Sequence, residues 1–69
     1  MPEYKYYKYL FTLYKVEFHQ LKYENNRLFP YKAYVYNSNK GWTESDIVPM
    51  YLVNRCKNVS EDELFLELI

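Results

Sequence analysis

One cysteine, one glycine, one histidine and three prolines occur in 69 residues, and each scarcity closes a class of function. A lone Cys56 forms no internal disulfide, whereas small secreted domains usually carry several. Cys56 and His19 together fall short of the ligand set of a zinc site. The single Gly41 leaves no glycine-rich loop to cradle phosphate. The spacing and central glycine of a calcium loop are missing as well. No apolar run approaches the roughly 20 residues of a membrane span. The opening Met-Pro-Glu-Tyr-Lys lacks a basic segment followed by an apolar stretch, so no signal peptide is expected. The chain therefore reads as one cytoplasmic domain over residues 1–69, with no metal, no cofactor and no membrane contact.

Aromatic side chains, by contrast, are abundant. They make up 22% of the chain, and hydrophobic residues make up 49%, well outside the disordered class. Twelve of the fifteen aromatics fall in residues 1–36. Charge divides in the same way. Residues 1–40 carry seven cations against three carboxylates, and residues 41–69 carry two against six. The total is zero, which argues against bulk attraction to nucleic acid or acidic lipid.

These residues predict an α+β fold: a small antiparallel sheet with two short helices packed on one face. Residues 9–23 and 28–36 are rich in Tyr, Phe, Val and Leu, which suit a pleated surface, and form the predicted β-hairpin, about 9–36. Asn25-Asn26 suit the centre of a primed turn. Phe18 is then expected opposite Ala33, Val16 opposite Val35, Glu17 opposite Tyr34 and Lys15 opposite Tyr36. Val16, Phe18, Ala33 and Val35 share the apolar face, while the charged residues share the other. A third strand is expected from residues 3–8, with a bulge near Tyr6-Tyr7, or from 50–54. Tyr4, Tyr7, Phe11 and Tyr14 also fit helical spacing, so residues 3–8 read as strand or helix, with tyrosine propensity and the missing N-cap favouring strand. Pro30 places residues 28–31 on an edge or at a bulge.

Later residues read as helices. Asp46 is expected to cap a helix over 47–57 that shows Val48, Leu52 and Cys56 on one face. Ser60 and Glu63 form a capping box, flanked by Val59 and Leu64 at the positions of a hydrophobic staple. Residues 61–68 are therefore expected to be helical, with Leu64, Phe65 and Leu68 available for packing.

No catalytic constellation emerges. His19 stands near Glu17 and Lys32 on the predicted outer face, but acid–base chemistry also needs a pocket and a reacting partner group. Cys56 on an apolar helix face is a small hydrophobe before it is a nucleophile. What remains is a surface of Tyr34, Tyr36, Lys15, Lys32 and His19, with Tyr23 near the turn. Tyrosines anchor protein interfaces, and interleaved with lysines they also stack and neutralise single-stranded nucleic acid. The acidic stretch Glu61–Glu67 is a second candidate surface. The reading is an interaction module that binds and inhibits a larger host or cellular protein. Very small proteins rich in tyrosine and asparagine are often products of phages or mobile elements, and that origin is the expectation here. A nucleic-acid-binding module is the alternative, and a homodimer would offset the thin core.

Overall fold

A computed structural model of the chain describes residues 3–21, 25 and 27–68. The elements run β1 (Glu3–Tyr9), β2 (Thr12–Leu21), β3 (Arg27–Asn37), β4 (Gly41–Ser45), α1 (Pro49–Arg55), β5 (Lys57–Val59) and α2 (Glu61–Leu68). The strands form one antiparallel sheet in the order β4-β3-β2-β1-β5. Four strands meander in sequence. The chain then crosses from one edge to the other through α1 and adds β5 beside β1. The fold is α+β, with more strands than the hairpin and possible third strand expected.

That crossing closes the core. Tyr7, Val16, Phe18, Ala33 and Leu52 form the buried cluster, with Tyr14, Leu28, Ile47, Val53 and Cys56 packed around it. Val16 and Leu52 are completely buried. Each contributes about 1.5–3 kcal/mol of apolar burial. The expected apolar face of the hairpin is thus the one that α1 covers, through Leu52.

The hairpin register differs from expectation. Val16 pairs with Ala33, Lys15 with Tyr34 and Tyr14 with Val35, two residues away from the expected partners. The last pair among the described residues is Leu21 with Arg27. A shift by two conserves faces, because side chains alternate with period two. Val16, Phe18 and Ala33 are buried accordingly, while Val35 is half-buried. The expected Asn25-Asn26 turn and Glu24–Arg27 pair involve Glu24 and Asn26, which lie outside the described residues. Asn25 does take a positive φ of 56°.

Between Glu17 and Phe18 the register slips, since Glu17 faces Lys32 and Phe18 faces Pro30. Tyr31 is therefore the extra residue of a β-bulge. β4 pairs only with Ala33–Asn37, so Pro30 lies on the unpaired stretch of β3 as well as beside the bulge. Its missing N–H costs no ladder bond there.

Four expectations need correction. Residues 9–23 are not one strand: the chain reverses at Leu10-Phe11, where Tyr9 pairs with Thr12. The β1–β2 register runs unbroken from Glu3 to Tyr9, without a bulge near Tyr6-Tyr7. Residues 50–54 are helical, and the further strands are β4 and β5. Asp46 does not cap α1. The cap position is Val48, which is exposed, and Pro49 opens the helix. Proline suits that position because its absent N–H would be unpaired anyway.

The second capping prediction holds. The Glu63 N–H donates to Ser60 Oγ at 3.2 Å, and the Ser60 N–H donates to Glu63 Oε1 at 3.4 Å. Val59 is buried and Leu64 half-buried, while Phe65 and Leu68 are exposed. α2 therefore buries little. Its Glu67 reaches Lys8 at 2.8 Å. Lys8 follows the core residue Tyr7, so alternation points it to the other side of the sheet. α1 and α2 thus attach to opposite faces, where both were expected on one. The core face accepts only α1, through Leu52, and the Lys8–Glu67 pair holds α2 on the other side.

Candidate functional site

The outer face, turned away from the core, collects the expected surface residues. Alternation places Lys15, Glu17 and His19 of β2 there, with Lys32, Tyr34 and Tyr36 of β3 beside them. The structure brings together Lys15, His19, Lys32, Tyr34 and Tyr36. Tyr23 lies outside the described residues. β1 and β4 add Tyr4, Tyr6 and Trp42.

These groups are engaged with one another. The Lys15 ammonium sits over three rings, 4.9 Å from Tyr4, 5.2 Å from Tyr34 and 4.9 Å from Trp42. Each ring face attracts the charge electrostatically. Trp42 also meets Tyr36 edge-on at 5.3 Å and Tyr6 at 5.8 Å. Tyr6 and Trp42 belong to strands separated by two others, so their rings meet above β2 and β3. Lys32 binds Glu44 at 3.3 Å, which raises its pKa.

Glu17 is the polar hub of this face. His19 Nε2 hydrogen-bonds to it, and the Tyr34 hydroxyl donates to it at 3.1 Å. The hydrogen bond from His19, chiefly, holds the Glu17 carboxyl below its ordinary pKa. Desolvation and that same carboxylate push the Tyr34 hydroxyl up. The His19 ring stacks on Tyr31 at 4.6 Å, and Tyr31 is 55% exposed. The bulge thus delivers a tyrosine that covers the histidine. The result is an aromatic platform with few uncommitted charges.

A different group of side chains faces water. At the β1–β2 turn Leu10 is 74% exposed and Phe11 98% exposed. Leu10 takes a φ of 56°, in the left-handed region that glycine and asparagine occupy readily and leucine does not. Behind the turn, Tyr9 packs edge-on against Tyr51 of α1 at 6.0 Å. The Lys8–Glu67 ion pair brings the last turn of α2 to the root of the same hairpin. Leu66 and Leu68, both exposed, belong to that turn. One end of the molecule is therefore capped by apolar side chains facing water.

Sequence reasoning did not find Leu10 and Phe11. Leu-Phe is not turn chemistry, and inside a run of Tyr, Leu, Phe and Thr it reads as strand. Cys56 behaves as expected of a packing residue. It is half-buried against the core, and burial raises its pKa. A groove of about 250 Å³ between β1 and the start of α2 is lined by Tyr4, Lys5, Tyr6, Asn58, Ser60 and Glu61, among others. Among the described residues no cluster of His, Cys, Asp and Glu is arranged to hold a metal ion. No family model, curated protein or solved structure matches this chain.

Proposed function

We propose that the protein is a non-catalytic interaction module, acting in the cytoplasm, that docks on a larger protein by inserting the Leu10-Phe11 hairpin tip into an apolar cleft. The single observation behind this reading is the conjunction of strain and exposure at the tip. A leucine in the left-handed region costs about 1–2 kcal/mol. Phe11, fully hydrated, returns nothing to stability in the free protein. Strained positions recur where a surface is shaped for contact, and buried aromatic anchors dominate binding energy.

The partner is more consistent with a protein than with a bilayer. α2, which ends beside the tip, carries Glu61, Asp62, Glu63 and Glu67 and no cation. An anionic membrane surface repels that charge. The nucleic-acid alternative has less support, because Lys15 is enclosed by rings and Lys32 is bound to Glu44. Phosphate neutralisation needs free cations. Docking by such a module modulates its target by covering surface.

Phe11→Ser tests the reading. The side chain is exposed, so the fold should change by no more than about 0.5 kcal/mol. Affinity capture with the tagged chain should retain one dominant cellular protein, and the Phe11→Ser copy should retain it roughly tenfold less, as for a hot-spot aromatic. Tyr31→Ser on the outer face should leave retention unchanged. Loss with Tyr31→Ser and not with Phe11→Ser would move the contact to the outer face.

A further inference from the structure

We propose that β4 is a self-pairing edge, and that two copies of the chain join through it, antiparallel about a two-fold axis at Thr43, into one ten-stranded sheet. The proposal does not depend on the docking reading above. β4 closes one side of the sheet, so among the described residues the outward backbone N–H and C=O groups of Gly41–Ser45 have no strand to pair with.

The two edges are treated differently. β5 is three residues long and flanked directly by α1 and α2, which blunts it. β4 has none of the usual protection. It contains no proline and no lysine, and its register with β3 is unbroken. Its one charge, Glu44, is engaged by Lys32 on the outer face.

Self-pairing centred on Thr43 sets Gly41 opposite Ser45 and Trp42 opposite Glu44. Just beyond the strand ends it brings Lys40, the last residue of the β3–β4 turn, to the same end of the join as Asp46 of the other copy. Both residues are exposed, and neither joins any ion pair among the described residues. The two-fold axis makes that match twice. Centring on Glu44 instead would set like charges face to face, which is destabilising. Centring on Trp42 sets Lys40 against Glu44, which Lys32 already engages, and leaves Asp46 without its lysine. Only the Thr43 axis overlaps the whole strand with itself and supplies both charges.

Trp42 and Glu44 share the outer face with their partners Tyr36 and Tyr34, so the join would carry the aromatic platform continuously from one copy to the next.

Sedimentation equilibrium tests this on the intact chain, from micromolar to millimolar concentration. The expected mass rises from 8.6 kDa to twice that value. Lys40→Glu converts two attractive contacts into two repulsive ones and should raise the dissociation constant about tenfold. Asp46→Lys should do the same, and the double variant should restore the original affinity. Both positions are exposed, so circular dichroism should show an unchanged fold for every variant. A chain that stays monomeric to millimolar concentration overturns the proposal. A dimer indifferent to the single reversals, or one not rescued by the double variant, overturns it equally.

Discussion

Glycine usually weakens a structured position relative to alanine, by about 0.5–1 kcal/mol, because it loses more backbone freedom on folding. Position 10 should invert that order. Leu10 holds a φ of 56°, and any residue with a Cβ bears a cost of about 1–2 kcal/mol there. Leu10→Ala and Leu10→Gly both remove the same largely exposed side chain, so the loss of packing cancels between them. Relief of strain then exceeds the entropy of glycine by about 0.5–1 kcal/mol. Leu10→Gly should be the more stable of the pair by that amount, a difference of roughly 2–8 °C in midpoint for a domain of this size. Urea unfolding of the two variants measures it, with equal slopes showing that the unfolded states are alike. If Leu10→Ala equals or exceeds Leu10→Gly, the turn does not have the described conformation. The argument from stored strain to docking would then fail.

Leu52→Ala removes a completely buried side chain from the helix that closes the core. It should cost about 2–5 kcal/mol, a large part of the roughly 3–10 kcal/mol available to 69 residues; a loss under 1 kcal/mol in urea melts would contradict the packing. Lys15→Met keeps the stem and deletes the charge over Tyr4, Tyr34 and Trp42. Stability should drop by about 1 kcal/mol, and an unchanged midpoint would show the rings indifferent to the ammonium. Ser60→Ala should destabilise α2 by about 1 kcal/mol in amide exchange. Glu63 owes its lowered pKa first to hydrogen bonding with the Ser60 backbone and hydroxyl, with Lys57 adding to it. The variant should raise it towards the ordinary carboxylate value in an NMR titration. Glu17 has its pKa lowered chiefly by His19. Its contribution is complete above the ordinary carboxylate pKa and is lost as pH falls through the depressed value. Glu17→Gln should flatten that part of the acid unfolding curve, and an unaltered slope would deny the linkage.

Legibility from sequence followed the strength of local signals. Ser60 and Glu63 announce a helix start by chemistry that needs no tertiary context, and residues 61–68 are helical as expected. The inward set Val16, Phe18 and Ala33 was readable because period-two alternation survives a register error of two residues. The register itself depends on loop length and on the Tyr31 bulge, neither of which composition encodes. β4 and β5 escaped because Gly-Trp-Thr-Glu-Ser and Lys-Asn-Val are short, and pairing with β3 and β1 decides their state. The Asp46 cap was a sound local choice overridden by Pro49, which takes the first helical position.

The candidate surface divides in the same manner. Lys15, His19, Lys32, Tyr34 and Tyr36 were grouped correctly by strand parity. Their engagement with Glu17, Glu44 and Trp42 was not visible, because Trp42 lies on a strand that local sequence does not reveal. The hairpin tip was hidden for the opposite reason. Leu10-Phe11 looks like strand, and only the pairing of Tyr9 with Thr12 exposes it as a turn.

Photo-crosslinking separates the two surfaces most directly. A benzophenone-bearing phenylalanine analogue is placed at position 11 in one preparation and at position 31 in another, both exposed aromatic sites. Docking through the hairpin tip predicts one dominant covalent adduct from position 11 and none from position 31. An adduct formed only from position 31, or none from either, would contradict it.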